Sequence, residues 1–211
     1  MGRLPRAWGL VAVTLAATLP AWALPVAHTI ERVPFVRQQP NWCGAAALES
    51  VLRYHGADVS QRAIAQEIAL PNGGILNLDL KLYARRKGFR ADSQRGDLDL
   101  LKSWIARDVP VICQVRLGGI GGRTNHFVVV FGYDDRKRSF TAHTGTRAAE
   151  EIPFLDFASA WRDARNWMLV IRSPEAKDNP AQPASSGEAQ APPAPESKEG
   201  AGASQPPQSG K

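Results

Sequence analysis

Cysteine is scarce. The 211 residues contain two, Cys43 and Cys113, so at most one disulfide can form. No cysteine lies near residue 23, which excludes a lipoprotein-type anchor there. Charge is absent from Ala7 to Ala27. Aromatic and β-branched residues are absent from Pro174 to Lys211. There is no internal repeat and no nucleic-acid motif, and the lysines and arginines are scattered, so no nucleic-acid partner is expected. Gly118-Gly119-Ile120-Gly121-Gly122 is glycine-rich but leads into no helix, so it is not a dinucleotide fingerprint.

The uncharged opening has the form of a secretory signal. Arg3 and Arg6 precede an apolar run, then Pro20 and an Ala21-Trp22-Ala23 cleavage pattern. Residues 1–23 are expected to be removed on export, to the periplasm if the source is Gram-negative, leaving no stable membrane span. An uncleaved anchor is the alternative. The tail, 174–211, is rich in Pro, Ala, Ser, Gly, Gln and Glu, and buries too little apolar surface to offset its chain entropy. Between them, residues 24–173 form one domain, with helical patterns first and strand patterns later, an α+β order. The formal net charge is +6. The signal's two arginines offset the tail's small acidic excess, so the domain itself is modestly basic.

The rest of the chain is organised around Gln38-Gln39-Pro40-Asn41-Trp42-Cys43-Gly44-Ala45-Ala46-Ala47-Leu48. Pro40 disfavours helix at Gln39. From Cys43, the spacing of Leu48, Val51 and Leu52 predicts a helix that stops at Gly56. Cys43 thus stands at a helix N-terminus, where the free N–H groups stabilise a thiolate. Gly44 is expected to leave the sulfur open to a substrate. Gln38 carries an amide able to donate to a developing oxyanion. The bland reading of Cys43 is an inert core thiol, or half of a Cys43–Cys113 disulfide.

Further helices are expected from the Ser60 cap, over about 77–87, and from the Asp97 cap to Ala106. Val109–Val115 reads as a buried strand, with Cys113 a small core residue in it. The Gly118–Gly122 stretch either lets backbone pass close to a site or is a hairpin loop. Asn125–Tyr133 reads as an apolar strand with a histidine near its start, and 139–146 as the returning strand. Phe154, Phe157 and Trp161 fit a helix, and 166–172 a last strand.

A nucleophilic cysteine needs a base. Of four histidines, His28 lies in the lead-in, and His55 is about 18 Å along the helix from Cys43. His126 and His143 remain. His126, at a strand start beside a loop, occupies a position where catalytic groups are often found. An ordinary strand-end histidine is the alternative.

This order resembles the C39-like cysteine peptidases of the papain-like superfamily, in a standalone exported bacterial form. The likeness runs from about Val33 to Ser173. It is carried by Val33-Pro34-Phe35-Val36, Gln38, Cys43-Gly44, the Leu101–Trp104 and Pro110-Val111-Ile112 stretches, and His126 leading through a hydrophobic strand to Gly132-Tyr133-Asp134. The resemblance implies a papain-like α+β fold, N-terminal helices packed on a C-terminal antiparallel sheet. It also implies a peptide or protein substrate, no cofactor and no metal. Cys43 would be the nucleophile, His126 the base and then the acid, and Gln38, with the Cys43 N–H, the oxyanion donor. The family's usual Asp on the following strand is replaced by Ala142-His143-Thr144-Gly145. If the turn centres between Asp135 and Arg136, His143 lies on the face of His126; if it centres on Arg136, His143 points away and Thr144 takes that place. The expected third member is therefore His143, Thr144 or nothing.

Two functions follow. One is a peptidase acting through a Cys43 acyl-enzyme. The other is a catalytically weak or inactive peptide-binding domain that keeps the groove. A zinc site of Cys43, His126 and His143 matches no standard ligand spacing.

Overall fold

Local sequence signals account for most element ends. In a computed structural model, residues 24–71, 74–119 and 122–175 are described, all within the unit Met1–Lys177. The expected signal and the tail beyond residue 175 lie outside them. Helix α1 is Cys43–Tyr54, α2 Gln61–Ile68, α3 Asn77–Arg86, α4 Leu98–Ile105 and α5 Phe154–Asp163. The Ser60 hydroxyl accepts from the Ala63 N–H at the head of α2, and the Asp97 carboxylate from the Leu100 N–H at the head of α4. Gly56 and Gly88 follow α1 and α3 with positive φ, the left-handed stop that glycine tolerates.

The α1 helix is buried on every side from Gly44 to Leu52, not on one stripe alone. Its apolar members Leu48, Val51 and Leu52 are fully inaccessible, each contributing about 1.5–3 kcal/mol of burial. Its two polar members are paired. The Ser50 hydroxyl donates to the Pro34 carbonyl at 2.6 Å. The Glu49 carboxylate accepts from the Gln61 N–H and from Arg53. These bonds let a polar pair enter the core and tie α1 to the lead-in and to α2.

The strands are β1 Ala27–Thr29, β2 Arg90–Arg95, β3 Val111–Gly119, β4 Gly122–Asp134, β5 Ser139–His143, β6 Glu150–Pro153 and β7 Trp167–Arg172. They form one antiparallel sheet in the order β2-β7-β3-β4-β5-β6, and β1 pairs with the far end of β4. The α+β expectation, with a C-terminal antiparallel sheet, holds. Three details differ. The glycine stretch is largely strand: β3 runs to Gly119 and β4 starts at Gly122, because paired neighbours such as Leu117 and Thr124 extend the ladder beyond its apolar part. The returning strand ends at His143, since the Thr144 N–H turns back to the Arg147 carbonyl. The short strand β6 has no sequence signal of its own and forms by pairing with β5.

Side chains alternate between the two faces of the sheet. Phe127 and Gln114 face one way. Gly44 of α1 abuts Phe127, and Asn77 of α3 exchanges two hydrogen bonds with Gln114 at 3.1 and 3.0 Å. His126, Val128 and Val115 face the other way, toward Phe157 and Ala160 of α5. The rings of Phe154, Phe140, Phe157 and Trp161 stack in succession, with centroids 4.6–5.4 Å apart, and lock α5 to the sheet. Among the described residues no helix is long and apolar enough to cross a membrane.

Candidate active site

The turn before α1 aims Cys43. The Trp42 N–H bonds the Gln39 carbonyl, and Asn41 takes a positive φ of 63°, a conformation asparagine tolerates. The helix then begins at Cys43 itself. Here the sulfur meets His126 of β4. The two side chains are hydrogen-bonded, and the Phe127 N–H also bonds the sulfur. Burial pushes the Cys43 thiol up. The bonds and charge of His126 and the backbone at Phe127 and Gly44 outweigh this and hold the thiol below its ordinary value. Burial likewise pushes the His126 imidazole down, but Cys43 and the Thr144 carbonyl raise it above its ordinary value. The two shifts run in the directions that favour ionising the thiol beside a protonated ring.

The ring of His126 is held from behind by backbone. Its Nε2–H donates to the Thr144 carbonyl oxygen at 2.8 Å, which leaves Nδ1 for Cys43. Thr144 therefore meets the ring through its main chain. Its hydroxyl turns away, to the Glu150 carboxylate at 3.1 Å, and the same carboxylate takes Arg147 at 2.9 Å. These bonds fix the 144–147 turn that presents the carbonyl.

His143 lies elsewhere. It pairs with Val129, so it projects from the face opposite His126. Its Nε2–H donates to the Val33 carbonyl at 3.0 Å, and its Nδ1 accepts from the Ala149 N–H at 3.1 Å. Both ring nitrogens are occupied, so it neither orients His126 nor joins Cys43 and His126 as a metal ligand. The register reads as though the turn centred near Arg136. It shifts by one between Val130 and Gly132, at a bulge, which no strand pattern announces. Phe35 and Phe131 pack against the His143 ring. Burial lowers its pKa below 6.5 despite the Val33 bond.

The His143 ring is therefore neutral in the fold and takes up its proton more readily when unfolded. Its stabilisation is full above about pH 6.5 and is lost as pH falls through the lowered folded value. His143→Gln is expected to cost about 1–3 kcal/mol at pH 7.5 by orphaning the Ala149 N–H that Nδ1 accepts. It is also expected to flatten the loss of urea resistance between pH 7.5 and pH 5. Equal pH slopes in both proteins would contradict a neutral ring.

Gln38 lies opposite, lining the same cleft of about 830 Å³ as Cys43, Asn41, Asn77 and His126. Its backbone N–H donates to the Gly145 carbonyl at 2.9 Å. Its Oε1 is buried without a hydrogen-bond partner, pressed against Gly145, where an added Cβ would come within 2.3 Å of it. Gly145 is not among the site residues expected from the sequence. The signal available was a glycine directly after the family's third catalytic position, here with φ +76°.

Gly44 also has a packing role. A Cβ there would meet Phe127 Cδ2 at 3.3 Å and Ile75 Cβ at 3.4 Å. The missing side chain thus lets the head of α1 seat against Phe127 and Ile75. Cys113 is fully buried and its thiol is raised by burial. Both cysteines are free, so the Cys43–Cys113 disulfide does not form.

A seven-stranded antiparallel sheet, with a cysteine-headed helix docked beside a strand histidine, is the fold of the C39-like and papain-like cysteine peptidases. The chain belongs to the Peptidase C39 family, whose model matches residues 32–175. Its structure is similar to that of a C39-like peptidase from Bacillus anthracis, at 18% identity and TM-score 0.58, covering 70% of this chain and 98% of that one. It is similar to a double-glycine-motif protease of an AMS/PCAT transporter, solved with the leader peptide, at 22% identity and TM-score 0.55, covering 69% and 98%. It is similar also to xylellain, a cysteine protease from Xylella fastidiosa, at 13% identity and TM-score 0.53, covering 72% and 87%. Among curated proteins none matches the sequence significantly.

Proposed function

We propose that the protein is a cysteine peptidase that cleaves peptide bonds through a Cys43 acyl-enzyme. The hydrogen-bonded Cys43–His126 pair carries this reading. The thiolate attacks the scissile carbonyl. The developing oxyanion is held by the Gln38 amide and the Cys43 N–H. His126, protonated at Nδ1, gives that proton to the leaving amine, then removes one from the water that hydrolyses the thioester. Thr144 keeps the ring in the tautomer that this exchange needs. The substrate class is a peptide or unfolded protein segment that fits the cleft.

One observation supports a second reading, a weakly active or peptide-binding domain. His126 is oriented by a neutral carbonyl, which stabilises imidazolium less than a carboxylate does. Incubating the full chain with a peptide library and mapping new termini by mass spectrometry separates the two. Cleavage that vanishes with Cys43→Ala supports the peptidase. Peptides retained intact by both proteins would support the binding domain.

A further inference from the structure

A second cavity opens on the far side of His126. It measures about 410 Å³ and lies between β3, β4, β6 and α5, a volume in the range of roughly 300–1,000 Å³ typical of ligand sites. Its lining is mostly apolar, from Val115, Val128, Ile152, Phe157 and Ala160, with the Asp156 carboxylate also on it. Arg147 at its rim is paired with Glu150, so that rim pair brings no net charge. His126 lines both this cavity and the cleft, whereas Cys43 and Gln38 line only the cleft.

The chemistry of the site orients a substrate across these two spaces. The acyl carbon bonds to Cys43 and its oxygen faces Gln38, so the acyl segment occupies the cleft. The leaving nitrogen must lie within hydrogen-bond reach of the group that protonates it. The residue it belongs to therefore stands on the His126 side.

We propose that this cavity receives the side chain of the first residue after the cut bond, and that it selects a bulky apolar one. The assignment rests on the peptidase reading above. Water cannot offer such a side chain a comparable environment, so Leu or Phe gains over Gly by transfer into the cavity.

The test runs the leaving step in reverse. The full chain is acylated with p-nitrophenyl acetate, and the p-nitrophenolate burst counts acylated sites, with Cys43→Ala as blank. Glycinamide, leucinamide, phenylalaninamide and lysinamide are then offered as acceptors. The amine nitrogen bonds to the thioester carbon, the C–S bond breaks with its electron pair returning to Cys43 Sγ, and the amine's proton passes to His126. Acetylated amide per burst equivalent is read for each acceptor. Leucinamide and phenylalaninamide are expected to exceed glycinamide at least about tenfold. Ala160→Phe, which fills the cavity, and Ile152→Asn, which makes its wall polar, are each expected to bring the ratio near one. A Cys43-dependent burst with no preference among acceptors, or a preference that survives both substitutions, overturns the cavity assignment and leaves the peptidase reading standing. No Cys43-dependent burst overturns both.

Discussion

Replacing His126 with alanine is expected to slow alkylation of Cys43 at pH 6 by about 100- to 300-fold. An unassisted thiol near pKa 8.5 is ionised to only about one part in 300 at that pH, whereas a thiolate held by an imidazolium is almost fully ionised. In the unaltered protein the iodoacetamide rate should therefore change little from pH 6 to pH 8. In His126→Ala it should climb about tenfold per pH unit over that range. The fully buried Cys113 contributes no background, and Cys113→Ser should leave the profile unchanged. Peptide cleavage should fall further than alkylation, because His126 also transfers protons, an effect of about 10²–10⁴. A Cys43 rate that rises only near pH 8.5 in both proteins would rule out the pair.

Gly145→Ala is expected to lower turnover by about 10²–10³-fold, the usual loss for one oxyanion donor, while leaving fast alkylation at pH 6 intact. The reason is steric. The new methyl would fall 2.3 Å from Gln38 Oε1, and the long side chain yields before the backbone does. The φ of +76° adds about 1–3 kcal/mol of strain that glycine does not bear. Gln38→Ala should reproduce the turnover loss, and the double substitution should be no worse than the poorer single one, because both remove the same donor. A double variant showing the product of the two losses would mean that Gly145 acts apart from Gln38. The same turn serves both sides of the site. The Thr144 carbonyl holds His126 and the Gly145 carbonyl holds the Gln38 backbone.

The pattern of residues is enough to single out Cys43, Gln38 and His126, which line one cleft in the fold, because each announces itself locally. Pro40 and the alanine run place Cys43 at a helix head. The apolar run after His126 marks that strand, but pairing begins four residues earlier, at Gly122, so the ring stands inside β4 opposite Val115 and not at its start. The Ser60 and Asp97 caps act within one turn, so the α2 and α4 starts were readable to within a residue. The close fit of Gly44 to Phe127 was not readable, because what approaches a glycine is set by the packing of α1 on the sheet.

What the tertiary structure alone decided concerns the third position and the second cavity. A single bulge between Val130 and Gly132 sets the β4–β5 register, and one residue of slip sends a side chain to the opposite face. That slip turns His143 into a core group and brings a main-chain carbonyl to His126, an atom present at every residue and so invisible in the amino-acid order. The cavity beside His126 is assembled from β3, β4, β6 and α5, whose residues are far apart in the chain. Local propensity carries no information about that meeting; the packing of α5 on the sheet creates it.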